Sequence, residues 1–225
     1  MSLRVGVTVF PGSCDERDAA RAVELMGAEP VVLWHADADL QGVDAVLVPG
    51  GFSYGDYLRP GALAARSPVL SAVAAHAAAG GPVLGVCNGF QVLTEAGLLP
   101  GVLRTNRTLR FRCEDARLVV ERESPWLPGV AAGAILTIPS KHHDGCFFAD
   151  PGLIEEMQER GQVLMRYAHN GNGSVGAIAC VTSERGNVAG LMPHPEHAVD
   201  PLLGSTDGRI LLSGLLALAG APAAV

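Results

Sequence analysis

The first two-thirds of the chain alternates short apolar runs with segments of helical period. Residues 3–10 are an apolar run stopped by Pro11-Gly12, which predicts a strand. Ser13-Cys14-Asp15-Glu16 matches a capping box, so a helix should follow and run to Gly27. Residues 30–34 and 44–48 predict two more strands, the later one ending in Pro49-Gly50-Gly51. Ser67-Pro68 reads as an N-cap with proline at the first helical position, and Gly80-Gly81 closes that helix. Residues 82–86 predict a fourth strand, followed at once by a helix. Strand cores that are apolar throughout, spaced by helices, predict an α/β fold with a mostly parallel central sheet and helices on both faces.

The rhythm changes near Arg104. Residues 110–121, 134–138, 163–168, 175–181 and 187–192 read as strands. One helix interrupts them, started by Asp150-Pro151 and ended by Gly161. This predicts an antiparallel or mixed extension of the sheet. A last helix should begin near Thr206 and run to about Ala219, and there are no internal repeats.

Composition narrows the picture. A chain of 225 residues, 48% of them hydrophobic, is long enough for one domain over 1–225 with a large core. The net charge of -7 and the absence of a basic run argue against a nucleic-acid partner. The longest apolar stretch, residues 210–225, is broken by Ser213, Gly214, Gly220 and Pro222 and is too short to span a membrane. The N-terminal apolar run is strand-length and leads into acidic residues, unlike a signal peptide. Five scattered cysteines with no CxxC pattern suit a reducing cytoplasm.

Three segments carry chemistry. Gly85-Val86-Cys87-Asn88-Gly89, between a strand and a helix, is a nucleophile elbow with sulfur at its apex. The helix N-terminus below the sulfur favours negative charge there. Met192-Pro193-His194-Pro195-Glu196 closes an apolar strand. Its prolines keep the backbone extended, so His194 and Glu196 point the same way and can act as base and orienter for Cys87. Gly50-Gly51 ends another strand. A free N–H at Gly51, with that of Asn88, could form an oxyanion hole.

Gly-Val-Cys-Asn-Gly-Phe-Gln, Pro-Gly-Gly-Phe-Ser-Tyr-Gly-Asp and Met-Pro-His-Pro-Glu together resemble class I glutamine amidotransferases, which implies their flavodoxin-like fold. More narrowly, Gly-Gly-Phe-Ser-Tyr-Gly-Asp-Tyr-Leu-Arg, Asn106-Arg107 and Ser-Thr-Asp-Gly near the C-terminus make the chain similar to the glutaminase subunits of phosphoribosylformylglycinamidine synthase. The resemblance runs from residue 5 to residue 209. It implies hydrolysis of glutamine to glutamate and ammonia by a Cys87-His194-Glu196 triad. It implies a large synthetase partner, which would carry ATP and Mg, and a small bridging subunit. No cofactor is implied on this chain. Gln91, one turn after Cys87, is placed to touch the substrate. Asn106 and Arg107 resemble positions lining the glutamine site, with Arg107 a candidate partner for its α-carboxylate.

Two stretches depart from the resemblance. Pro139-Ser140-Lys141-His142-His143-Asp144-Gly145 stands where such subunits often read Pro-x-Ala-His-Gly-Glu-Gly. His197 stands where an arginine usually follows the glutamate. His142, His143, Asp144 and Cys146 look superficially like metal ligands, but adjacent residues rarely share a face, and no metal is expected. The segment reads better as an active-site rim or a partner contact. The residues leave two alternatives: another Cys-elbow hydrolase, such as a peptidase or γ-glutamyl hydrolase, or a non-catalytic flavodoxin-like binding module.

Overall fold

The computed structural model describes residues 2–220. In chain order its first elements are β1 (Arg4–Val9), α1 (Glu16–Leu25), β2 (Glu29–Trp34), β3 (Ala45–Val48), α2 (Pro68–Ala78), β4 (Val83–Val86) and α3 (Asn88–Glu95). They are followed by β5 (Val102–Arg104), β6 (Arg112–Val120), β7 (Ile135–His142), β8 (Cys146–Phe148), α4 (Pro151–Glu159), β9 (Val163–Tyr167), β10 (Ile178–Thr182), β11 (Val188–Leu191) and α5 (Gly208–Gly220).

Nine strands form one sheet in the order β2-β1-β3-β4-β11-β10-β9-β6-β7. From β2 to β11 every pairing is parallel. From β11 to β7 every pairing is antiparallel. The sheet is thus a parallel half with an antiparallel extension. Every residue of β3, β4 and β11 is buried, which is why these strands are apolar without alternation. The helices fall into two groups: α1 and α5 both touch residues 195–197, while α2 and α3 both touch residues 64–66.

The parallel half positions the site. Strands running the same way end at the same edge, and ligands in such sheets bind beyond their carboxyl ends. β3 delivers Pro49-Gly50-Gly51 to that edge, β4 delivers Cys87, and β11 delivers Met192-Pro193-His194.

Several local expectations are corrected. The capping box does not form: Ser13 Oγ accepts from the Phe10 N–H, and the residue capping α1 is Asp15, whose side chain makes no cap bond. That carboxylate instead accepts from Lys141 Nζ at 2.6 Å. Ser67 does not cap α2 through its side chain either; its hydroxyl donates to the Ala64 carbonyl. β7 runs four residues past the expected 138, to His142, because it is the sheet's outer strand and β6 pairs along its whole length. A proline is tolerated at such an edge, so Pro139 does not end it. Residues 175–177 are a 3₁₀ turn, with Gly176 at φ 56°, and β10 starts only at Ile178. The pair β5–β8 forms a separate two-stranded sheet that three-residue strands did not announce. No described helix is long and apolar enough to cross a membrane. In the apolar stretch 210–225, α5 reaches Gly220 and the last five residues lie outside the described ones.

Candidate active site

Cys87 sits between β4 and α3, its N–H donating to the Leu191 carbonyl of β11 at 2.8 Å. Its backbone has φ 51° and ψ -107°, a conformation that costs energy for a residue with a Cβ. The flanking glycines are there for space. A Cβ on Gly89 would overlap the Val48 backbone oxygen, and one on Gly85 would lie 2.8 Å from the Gly89 carbonyl carbon. α3 can therefore start hard against the end of β3. The Cys87 side chain is buried, and its Sγ points at the Lys141 carbonyl at 3.6 Å.

His194 follows β11 and is pinned by its own N–H, which donates to the Pro139 carbonyl at 2.7 Å. Its Nδ1 lies 2.6 Å from Glu196 Oε1, and both side chains are almost wholly buried. Its Nε2 has no hydrogen-bond partner among the described residues. Burial alone would push the imidazole down. The Glu196 carboxylate and then the Cys87 sulfur outweigh it and hold His194 well above the usual imidazole range. A second carboxylate lies behind the ring: Asp15 Oδ2 is 3.7 Å from Nδ1, with its other oxygen paired to Lys141. His197 stacks on His194 with centroids 5.1 Å apart and bonds Asp18 at 3.1 Å.

Gly51 has φ 144°, and a Cβ there would lie 2.6 Å from the Cys14 nitrogen, so only glycine fits. The N–H groups of Gly51 and Asn88 have no protein acceptor among the described residues. The Asn88 side chain is committed elsewhere: its Oδ1 accepts from the Ser53 N–H, and its Nδ2 donates to Gln91 Oε1 at 2.9 Å.

Cys87, His194, Gly51 and Gln91 all line one cavity of about 320 Å³. The wall also holds Lys141 and Asp144, from the segment expected at an active-site rim, and Asp15 and Asp56, which the motifs did not single out as site residues. Asp56 was visible within Gly-Gly-Phe-Ser-Tyr-Gly-Asp, but nothing in its spacing predicts that Tyr54, Gly55 and Asp56 all take positive φ and turn this loop onto the cavity. Asp15 was read as part of a helix cap. Only the fold shows it facing β7.

Asn106 and Arg107 do not line the cavity. Asn106 is fully buried, and its amide is used up holding residues 142–145: Nδ2 donates to the His142 and Arg110 carbonyls, and Oδ1 accepts from Gly145 N–H and His142 Nδ1. Arg107 is exposed, with its N–H donating to the Asn172 carbonyl. His142 is also a structural group. Burial first, then the charges of His194 and Arg112, lower its pKa to about 4, so it stays neutral at the Asn106 contact. His143 is exposed at the rim and pairs with Asp144 at 2.9 Å.

Donor atoms of Asp15, His194, Glu196 and His197 lie within 4.8 Å of one another, a spacing that a metal ion could use. Each already has a closer partner: Lys141 for Asp15, Glu196 and His194 for each other, and Asp18 for His197. The arrangement is that of ion pairs around a histidine.

Residues 2–209 match the family described as a CobB/CobQ-like glutamine amidotransferase domain. The phosphoribosylformylglycinamidine synthase subunit PurQ of Rubrobacter xylanophilus is 59% identical over 216 residues, 96% of this chain and 98% of that one. The subunit of the same name from Corynebacterium efficiens is 54% identical, again over 96% and 98%. Among solved structures, PurLQS from Thermotoga maritima contains a chain that superposes with a TM-score of 0.88 at 41% identity, covering 96% of this chain and 98% of that one. A putative GMP synthase subunit from Thermoplasma acidophilum, 14% identical with a TM-score of 0.69 over 97% of this chain and 94% of that one, shares the fold.

Proposed function

Because the chain belongs to the CobB/CobQ-like glutamine amidotransferase family, we propose that it is the glutaminase subunit of a phosphoribosylformylglycinamidine synthase. It hydrolyses glutamine to glutamate and passes the ammonia to a synthetase subunit, with a small subunit completing the complex. The synthetase, carrying ATP and Mg, uses that ammonia to convert formylglycinamide ribonucleotide into its amidine during purine synthesis. We place this activity in the cytoplasm, in a single domain spanning the chain.

One observation carries the mechanism. The buried His194 is gripped at Nδ1 by Glu196, while its unpartnered Nε2 belongs to a side chain lining the same cavity as the strained Cys87. Cys87 Sγ attacks the carboxamide carbon of glutamine, and its proton goes to His194. The oxygen of the tetrahedral intermediate meets the Gly51 and Asn88 N–H groups, each worth roughly 3 kcal/mol in comparable sites. His194 returns the proton to the leaving nitrogen, and ammonia departs. The γ-glutamyl thioester is then opened by water, with His194 as base, releasing glutamate and the thiol.

Reconstitution with the synthetase and small subunit tests this function. With ATP, the ribonucleotide and glutamine, amidine and glutamate should form in equal amounts. A complex that makes amidine from ammonium salt but not from glutamine would overturn the assignment.

The roles around His194 make a separate prediction. His194→Ala should lower kcat for glutamine by about a thousandfold or more, since both half-reactions lose their proton carrier. Glu196→Gln should cost roughly ten- to a hundredfold less than His194→Ala, because the amide oxygen can still orient Nδ1 and the Asp15 carboxylate remains 3.7 Å away. Steady-state kinetics of the two variants in the complex check this. Equal or reversed losses would contradict the roles.

A further inference from the structure

The reaction centre occupies only one part of the cavity. Three carboxylates line the wall, and they differ in what balances their charge. Asp15 is paired with Lys141 at 2.6 Å. Asp144 accepts from Thr105 Oγ1 at 2.6 Å and pairs with His143 at 2.9 Å. Asp56 has no lysine, arginine or histidine partner among the described residues; its one side-chain contact is a long one, Asn88 Nδ2 at 3.4 Å. A half-buried carboxylate left without a counter-charge is costly, and the cost falls if the cavity's occupant supplies a cation.

The position of Asp56 matches that need. Asn88 follows the nucleophile directly, and its amide touches both Asp56 and Gln91. Gln91, one turn along α3, is locked by donating to the Asp144 carbonyl at 2.7 Å. Asp56, Gln91 and Asp144 thus form an acidic part of the cavity that Cys87 also lines. The unpartnered Nε2 of fully buried His194 marks the reacting end. In glutamine, two methylenes and the α-carbon separate the carboxamide from an ammonium group. With the carboxamide at Cys87, that ammonium needs an acceptor elsewhere in the same cavity, and Asp56 is the lining carboxylate without a counter-charge among the described residues.

We propose that Asp56 is the specificity residue of this site: it binds the α-ammonium of the substrate, so the cavity takes a free α-amino acid and rejects a γ-amide whose amine is blocked. The inference rests on the glutaminase function proposed above. It is consistent with the Asp56 carboxyl, which burial and then the charge of Asp144 push up to about 6. A bound ammonium would relieve both effects.

Asp56→Asn, assayed in the reconstituted complex, tests it. KM for glutamine should rise about thirtyfold or more, with kcat falling less than threefold. Two alkylators separate binding from a disturbed site. A diazoketone amino acid, which carries the α-ammonium, should label Cys87 more slowly by the same factor as the KM change. Iodoacetamide, which carries none, should label it at the wild-type rate. Asp56→Glu, retaining the charge, should recover part of the loss in KM. A KM within twofold of wild type in Asp56→Asn would overturn the inference, as would an equal slowing with iodoacetamide. If the wild-type complex itself fails to hydrolyse glutamine, the proposed function falls and takes this inference with it. A working wild type with an indifferent Asp56 refutes the inference alone.

Discussion

Cys87→Ser should reduce glutamine hydrolysis by at least about a thousandfold, some 4 kcal/mol of transition-state stabilisation. The change is nearly isosteric, so the elbow, with its N–H on the Leu191 carbonyl, should stay intact. What is lost is the nucleophile. The cavity is built around a sulfur whose proton His194 can take, and a hydroxyl holds its proton far more tightly. The reconstituted complex carrying this variant should still make amidine from added ammonium salt, because the synthetase chemistry lies on another chain. In the wild type, a diazoketone amino acid should label Cys87 and leave Cys14, Cys113, Cys146 and Cys180 unmodified by mass spectrometry. Cys14 is the stringent control, since it lines the same cavity. Residual glutaminase above one per cent of wild type, or a label mainly on Cys14, would remove Cys87 from the mechanism.

Gly89→Ala should be the most damaging single methyl in the chain. Gly89 lies in the first turn of α3 with ordinary helical backbone, so propensity alone would favour alanine there. The added Cβ, however, would overlap the Val48 backbone oxygen at the end of β3. Neither side can yield cheaply. β3 is hydrogen-bonded between β1 and β4, and α3 is packed on β4 and β11. We expect a loss of at least about 3 kcal/mol, a fall in Tm of roughly 6–12 °C for a chain of this size. The sulfur should shift as well, because Cys87 and Gly89 share the elbow. Thermal denaturation and glutaminase assays measure both effects. A Tm within 2 °C of wild type would show that the close approach of helix and strand is not as described.

These two positions also show how far the sequence could be read. Gly-x-Cys-x-Gly after an apolar run specified a strand, a sharp turn and a helix. That much is local chemistry: two residues without side chains and one nucleophile between them. Likewise, His194 and Glu196 are two residues apart, so their meeting is local, but Nδ1 and Oε1 come to 2.6 Å through a 3₁₀ turn at residues 195–197 and not along the extended backbone that the prolines suggest. The parallel half of the sheet was legible up to β4 for a similar reason, whereas β11, read from the sequence as part of the extension, joins that half as the parallel neighbour of β4. The fully buried β3 and β4 are unbroken apolar runs, and the next long element after each is a helix with its own period.

Tertiary contact alone decided the rest. Asn106 sits beside Arg107 in a segment that looked like part of a glutamine site, yet its amide is spent bracing residues 142–145. Asp15 carried the marks of a helix cap, and the fold turned its carboxylate onto Lys141, 126 residues away. Asp56 owes its place on the cavity wall to a loop with three successive residues at positive φ. Short-range spacing determines which groups can cooperate when they lie on one strand or one turn. Whether a polar side chain meets substrate or another part of the protein depends on which distant donors and acceptors reach it first. In this chain that competition is settled where β7 and the 53–56 loop close over the carboxyl ends of the parallel strands.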